Sequence, residues 1–419
     1  MPSFLLACLA FLGMSLPDGL LGVAWPSMRI DLRQPIGALG LLLPIAVASS
    51  MLSSASTGVL LARVGLGRLL ALSIAASGLA LFGQALAPAF WVVLLTGVLL
   101  AAGNGAIDAG LNAHAARRFS ARQITWMHAV YALGAAAGPL MFAVMAGAGL
   151  SWRWSFAVVA AVQALLAAAF AMTTGAWQAP EPAGAPLPDG ARRPDSVGRP
   201  DSVGRPDSGR RPDGDPQPAG GGRPGDARPA GDRRSGLRVP AVVWPGAVVF
   251  AVQTGVESAT ALWAFVFLTE ARGIAFEVAA ATVSGYWAAL LVGRMVLGPV
   301  ADRTGPRPVL LAGLTGMAGG AALMLLPGTV PVAGIVLIGL SAAPMYPLLT
   351  LTTKARVGAD LADRAIGVQS AASALGSATL PALIGLLIGP IGAGVIGPCV
   401  LVLALVNVAA YLTATRRTT

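Results

Sequence analysis

The chain has 419 residues, 56% of them hydrophobic and 11% charged, and a formal net charge of +10. A soluble domain averages about 25% charged residues, so an ordinary water-soluble fold is excluded. The positive balance would suggest nucleic acid in a soluble protein, but here the bases fall in short loops and one central segment, without the aromatic-interleaved patches of RNA or DNA binders.

Apolar runs long enough to cross a hydrocarbon core of roughly 30 Å as helices recur from one end to the other. Six are expected near residues 4–26, 37–62, 68–87, 91–113, 124–147 and 153–174. The first lacks the basic leader of a secretory signal, continues to Trp25 and holds Asp18 deep inside, so it is read as an uncleaved membrane helix. Residues 178–239 are rich in Pro, Gly, Arg and Asp and contain the repeat GRPDSV at Gly198–Val203. They have almost nothing to bury, and a disordered linker is expected there. Six further spans follow near residues 243–268, 278–301, 307–327, 330–352, 364–388 and 391–413. The expected fold class is therefore an all-α membrane protein. Twelve transmembrane helices form two six-helix bundles, residues 1–177 and 240–419, joined by the linker.

The halves are related in sequence. A shift of 240 positions lays Gly58, Arg63 and Gly65 on Gly298, Arg303 and Gly305. A shift of 242 lays Leu133, Gly134 and Pro139 on Leu375, Gly376 and Pro381. Arg and Lys favour one set of alternate loops, among them Arg63, Arg68, Arg117, Arg118, Arg122, Arg303, Arg307, Lys354, Arg356 and Arg364. The opposite set holds Arg29, Arg33, Arg153 and Arg272. The positive-inside rule then puts both termini and the linker in the cytoplasm. The Ala- and Arg-rich, Lys-poor composition points to a GC-rich bacterial genome and hence to the inner membrane.

At the seam between two spans stands Gly298-Pro299-Val300-Ala301-Asp302-Arg303-Thr304-Gly305-Pro306-Arg307. The spacing G-x-x-x-D-R-x-G-x-R resembles the loop signature of the major facilitator superfamily of secondary transporters. The resemblance covers all but the linker and implies parallel six-helix repeats with solute bound between them near the bilayer midplane. It also implies a gating role for Gly298, Asp302, Arg303, Gly305 and Arg307, with Arg294 as a gate partner able to snorkel toward the cytoplasm. The first-half copy is degraded, with Ala62 where the family has Asp.

Three acids lie well inside spans: Asp18, Asp108 and Glu257. An ionised group at the bilayer centre costs about 2.5–3.5 kcal/mol on insertion scales, so intramembrane acids are functional by default. Asp18 shifted by 240 falls on Ser258, beside Glu257. Asn112 follows Asp108 by one helical turn, and Gln253 precedes Glu257 by one. The run Gly103–Asn112, with Asp18, resembles the fucose-permease-like branch, which pairs a helix-1 acid with a helix-4 acid followed four residues on by Asn. Gln253–Ser258 with Trp263, and Ala343–Pro347, resemble it too. That resemblance implies proton coupling through one acid and solute contact through the other, with the assignment left open. His128 fits the same pattern with Gly134, Gly138 and Pro139. These three read as helix packing or a hinge, and His128 as a packing histidine at the cytoplasmic mouth.

His114 is read as a loop residue, and Cys8 and Cys399 as small packing residues. Trp91, Trp152, Trp154 and Trp244 are read as an interfacial belt, Trp263 and Trp287 as core packing rather than platforms for a sugar ring. The one lysine, Lys354, stands outside any phosphate-binding loop. No metal spacing, thiol-redox pair or catalytic Ser/His/Asp set is recognisable, so neither a cofactor nor an enzyme is expected. The expected activity is proton-coupled uptake of a small polar solute, such as a sugar, by a monomer in the lipid bilayer. Proton-antiport efflux and a non-transporting sensor or scaffold stand as alternatives.

Overall fold

A computed structural model describes residues 2–177 and 240–416; the expected linker, 178–239, lies outside the described residues. Helices follow one another along the chain: α1 (Pro2–Asp31), α2 (Leu42–Val64), α3 (Leu66–Ala85), α4 (Phe90–Arg118), α5 (Ala121–Gly147) and α6 (Trp152–Met172). The second half comprises α7 (Trp244–Val266), α8 (Phe276–Thr304), α9 (Pro306–Met324), α10 (Val330–Ala342), α11 (Met345–Leu351), α12 (Thr353–Val357), α13 (Ala359–Ile391) and α14 (Ile396–Arg416). Among the described residues, twelve helical stretches are long and apolar enough to cross a membrane. With large apolar side chains such as Leu52, Val144 and Leu165 left outward-facing, the protein is an integral multi-pass membrane protein.

Local chemistry sets the element ends. Ser120 and Gln123 form a capping box that starts α5. Gly65, between α2 and α3, has φ 76° and ψ 158°; Gly305, between α8 and α9, has φ 86° and ψ 158°. Only glycine adopts that region readily, and the two positions are the pair superimposed by the 240-residue shift. The sequence repeat is thus also a repeat of backbone conformation. The tenth span, expected near residues 330–352, is found at Val330–Leu351, with a turn at Ala343–Pro344 between α10 and α11. Proline lacks an N–H and its ring crowds the preceding turn.

Small residues bring helices together. A side chain on Gly19 would strike the Ala135 carbonyl, and one on Gly138 the Leu16 carbonyl, so α1 and α5 touch backbone to backbone. Gly134 packs on Ser15 of α1 in the same seam. In the second half Gly376 of α13 rests on the Ala251 carbonyl of α7, and Trp263 donates to the Pro381 carbonyl at 2.9 Å. Trp263 is fully buried. Helix α4 is held by a serine ladder from α2: Ser49, Ser53 and Ser54 donate to the carbonyls of Val98, Ala102 and Gly105 at 2.8, 2.6 and 3.0 Å.

Several surface expectations change. Trp91, Trp154 and Trp244 are exposed, whereas Trp152 is buried and donates to Asp31 Oδ2 at 2.8 Å, beneath the Arg153 guanidinium. His114 is helical, packed against Trp177 and Phe119 rather than in a loop. Arg356 donates to the Leu349 carbonyl at 2.7 Å and Thr353 Oγ1 at 3.0 Å, and burial pulls its guanidinium below the ordinary arginine value. Cys8 is buried and Cys399 half-buried, both as free thiols.

Candidate functional site

The two halves enclose a cavity of about 600 Å³. Asp18 of α1, Asp108 of α4, His128 and Tyr131 of α5, Glu257 of α7, and Trp287 and Arg294 of α8 all line it. Contacts away from the cavity hold four of these helices in place. The glycine seam sets the rotation of α1 and α5, the serine ladder sets α4, and the Trp263 contact sets α7.

The acids of the first half are already partnered. Tyr131 donates its hydroxyl to Asp18 Oδ2, and Asn112 donates to Asp108 Oδ1 at 2.9 Å. Asn104, on the same wall, donates to the Met14 carbonyl at 3.4 Å and accepts from Ser77 at 3.2 Å. The edge of Phe11 packs against His128 at 5.3 Å, so His128 is part of the cavity wall. In the second half, Tyr286 donates to the main-chain carbonyl of Glu257 at 3.0 Å, and the Glu257 side chain lines the cavity with no hydrogen bond to a described residue. Arg294 stands within electrostatic range of Glu257, His128 and Tyr131.

Two expected site residues sit elsewhere. Gln253 is fully buried and accepts from Asn407 Nδ2 at 2.8 Å, which turns it toward α14 rather than the cavity. Asn112 serves Asp108 and is not itself on the cavity wall. Arg294, expected as a gate partner near the helix end, is on the cavity wall. Helix α8 continues ten residues past it to Thr304, about 15 Å at 1.5 Å per residue, which takes it far from the helix end. Trp287, expected as core packing, also lines the cavity. Tyr131 was signalled only by lying one turn beyond His128 on the same helix face.

The two ends of the cavity differ. Even-numbered crossings bring both termini to one end. At the opposite end Arg29 of α1 pairs with Glu270 at 3.3 Å, on a π-helical turn, Phe267–Ala271, that continues α7. Phe142 packs on Phe276 at 5.8 Å, and Gly37 and Gly40, just before α2, lie against the backbone of Gly385 and Ala382 of α13. These contacts join the halves at that end. At the termini-bearing end Asp302, Arg303 and Arg307 are exposed and make no ion pair with a described residue. A side chain on Gly298 would meet nothing.

Two sequence-related helical halves thus share one cavity whose wall carries three acids and an arginine. The chain belongs to the Major Facilitator Superfamily, whose family profile matches residues 3–381 and 246–419. Among solved structures it resembles a mutant form of the nucleoside transporter NupG, at 12% identity and a TM-score of 0.71, covering 98% of each chain. It also resembles a bacterial homolog of the human lysosomal transporter Spinster, in an inward-facing and occupied conformation. There the identity is 16% and the TM-score 0.68, covering 99% of this chain and 97% of that one. At such identities the likeness concerns the fold. No curated protein is significantly similar in sequence.

Proposed function

We propose that the protein is a proton-coupled secondary transporter that takes up a small polar solute across the bacterial inner membrane by alternating access. The observation that carries this reading is the single cavity onto which Asp18, Asp108 and Glu257 all open. The charge bias of the loops orients the molecule with its termini toward the cytoplasm. Residues 1–177 and 240–419 then rock as two bodies about the cavity, tethered by residues 178–239.

In that cycle the Arg29–Glu270 pair and the glycine contacts at Gly37 and Gly40 separate as the outer end opens. Asp302, Arg303 and Arg307 engage as the inner end shuts, the role implied by the loop signature. Asp18 and Asp108 exchange the coupling proton, their anionic forms steadied by Tyr131 and Asn112. Glu257 contacts the solute. The resemblance to the fucose-permease-like branch supports a solute of sugar size, and ligand sites of about 300–1,000 Å³ suit small molecules.

Proteoliposome flux with and without an imposed pH gradient tests the proposal. Uptake driven by an inward proton gradient is the expected result. Proton flow opposite to the solute would instead establish efflux by antiport, and solute binding without flux would establish a sensor.

A further inference from the structure

The cavity residues given a role in the proposed cycle come from α1, α4, α5 and α7, yet α2 contributes Leu43, Ala46, Val47 and Ser50 to the same wall. Their spacing of three, four and seven puts them on one face of α2. Leu43, Ala46 and Val47 are only half-buried, so protein does not cover them.

The polar and apolar parts of the wall are separated along the membrane normal. Helices α1 and α7 end at the outer end, where Arg29 and Glu270 pair. Helices α2, α4 and α8 begin there, because successive crossings alternate in direction. On all five, the outermost lining residue is apolar: Leu21, Leu43, Ala101, Leu262 and Trp287. On α5 and α13 the lining stops at Tyr131 and Ser377. Inward along the same helices stand Asp18, Asp108 and Glu257, with Ser50, Asn104 and Arg294; Phe11 and Met14 of α1 lie among them. The ring is drawn together by close packing. A side chain on Gly22, beside Leu21, would strike the Leu262 carbonyl, and one on Gly97 would strike Leu42, beside Leu43.

We propose that this apolar ring receives an apolar group of the transported solute, so that the substrate is amphiphilic, with its polar head among the acids and a ring or short alkyl group toward the outer end. The proposal rests on the transporter reading and narrows it. A wholly polar solute would leave the ring uncovered, and a wholly apolar one would leave three carboxyls and a guanidinium without a polar partner. A cavity of about 600 Å³ has room for both parts, since drug-sized ligands occupy about 300–1,000 Å³. In an apolar pocket a single methylene changes discrimination by about 10- to 200-fold. Leu43 and Val47 thereby become specificity-determining residues.

The test is thermal unfolding of the full-length protein in lipid nanodiscs, where no detergent competes for an apolar site. A ligand that binds the folded state raises the midpoint by mass action. Three polar heads are each compared with a phenyl derivative: glucose with phenyl glucoside, glycine with phenylalanine, and ethanolamine with 2-amino-1-phenylethanol. At least one derivative is expected to bind about tenfold or more tightly than its parent. Val47→Asn and Leu43→Ala are each expected to cut that ratio by about threefold or more. Val47→Ile keeps the wall apolar and is expected to retain the ratio, which separates recognition from a general loss of packing. Parents that bind as tightly as their derivatives, binding by none of the compounds, or an undiminished ratio in Val47→Asn overturns the proposal. A phenyl preference without flux would sink the transporter reading alone. Proton-driven flux of a head group for which its phenyl derivative does not compete would sink this site alone.

Discussion

Asp108 in α4 and Arg294 in α8 each occupy the nineteenth position of a 29-residue helix, one in each half of the protein. They therefore stand at matching depth on one cavity. Asp108 is tied to Asn112, and Arg294 is tied to nothing within ion-pair reach. Asp18 and Glu257 repeat the contrast, since Asp18 has Tyr131 and the Glu257 carboxyl has no hydrogen bond to a described residue. A group whose partner is built in keeps its geometry whether the cavity is empty or full, which suits proton exchange. A group without one gains most when a ligand arrives, which suits recognition. In the proposed cycle the first half then serves the protons and the second the solute.

The comparison breaks most visibly if the first-half acids are dispensable. Asp18→Asn and Asp108→Asn are each expected to abolish accumulation driven by a pH gradient in proteoliposomes. At least one should retain solute exchange, because exchange needs no net proton movement. Tyr131→Phe should impair coupling in the same direction with a smaller loss. If Asp18→Asn, Asp108→Asn and Glu257→Gln all accumulate solute normally, proton coupling is assigned to the wrong groups.

Glu257→Gln is the sharper probe of the division of labour. A hydrogen bond to a charged group contributes about 1.5–3 kcal/mol, so its loss should weaken solute affinity by about 10- to 100-fold while leaving proton-driven transport at saturating solute. Calorimetric titration gives the affinity and flux gives the coupling. A variant that binds normally but no longer accumulates would make Glu257 a proton carrier and erase the difference between the halves.

The scaffold beneath that difference should respond alike on both sides. Gly134 and Gly376 are repeat partners, each packed on the helix that carries an acid of its own half. Gly134→Ala and Gly376→Ala are each expected to cost about 1–3 kcal/mol by overpacking, read as a lowered unfolding midpoint. The larger effect should fall at Gly376, whose obstacle is the Ala251 backbone rather than the Ser15 hydroxyl that crowds Gly134 most closely.

Much of this plan was legible in the sequence, for physical reasons that differ by feature. Twelve spans follow from the length and apolarity a bilayer demands, and the acids stand out because charge is costly there. The repeat was visible because Gly65 and Gly305 occupy a backbone region that few other residues tolerate. Helix rotation was not legible. One turn separates Gln253 from Glu257, yet Gln253 is claimed by Asn407, which lies 154 residues away in sequence. The expected span 278–301 already placed Arg294 inside α8; that it faces the cavity depends on the rotation of that helix, which the sequence does not show. The Arg29–Glu270 contact joins positions 241 residues apart, and neither residue carries a local mark of the other.

The smallest expected effect lies at the two ends, and its sign matters more than its size. Arg29 and Glu270 are partly exposed, at 26% and 39%, and such pairs are worth about 0.2–1 kcal/mol. Arg29→Gln should therefore shift the balance toward the state open at the Arg29 end by no more than about fivefold. Asp302 is exposed and has no ion pair with a described residue in this conformation. Asp302→Asn should leave this conformation intact and weaken the opposite one, moving the balance the other way and slowing turnover without abolishing solute binding. Cysteine-accessibility labelling from each side of the membrane reads both shifts. Opposite signs would tie the contacts at each end to the closed form of that end. Shifts of the same sign, or none with Asp302→Asn, would remove the loop signature from the gating cycle of this protein.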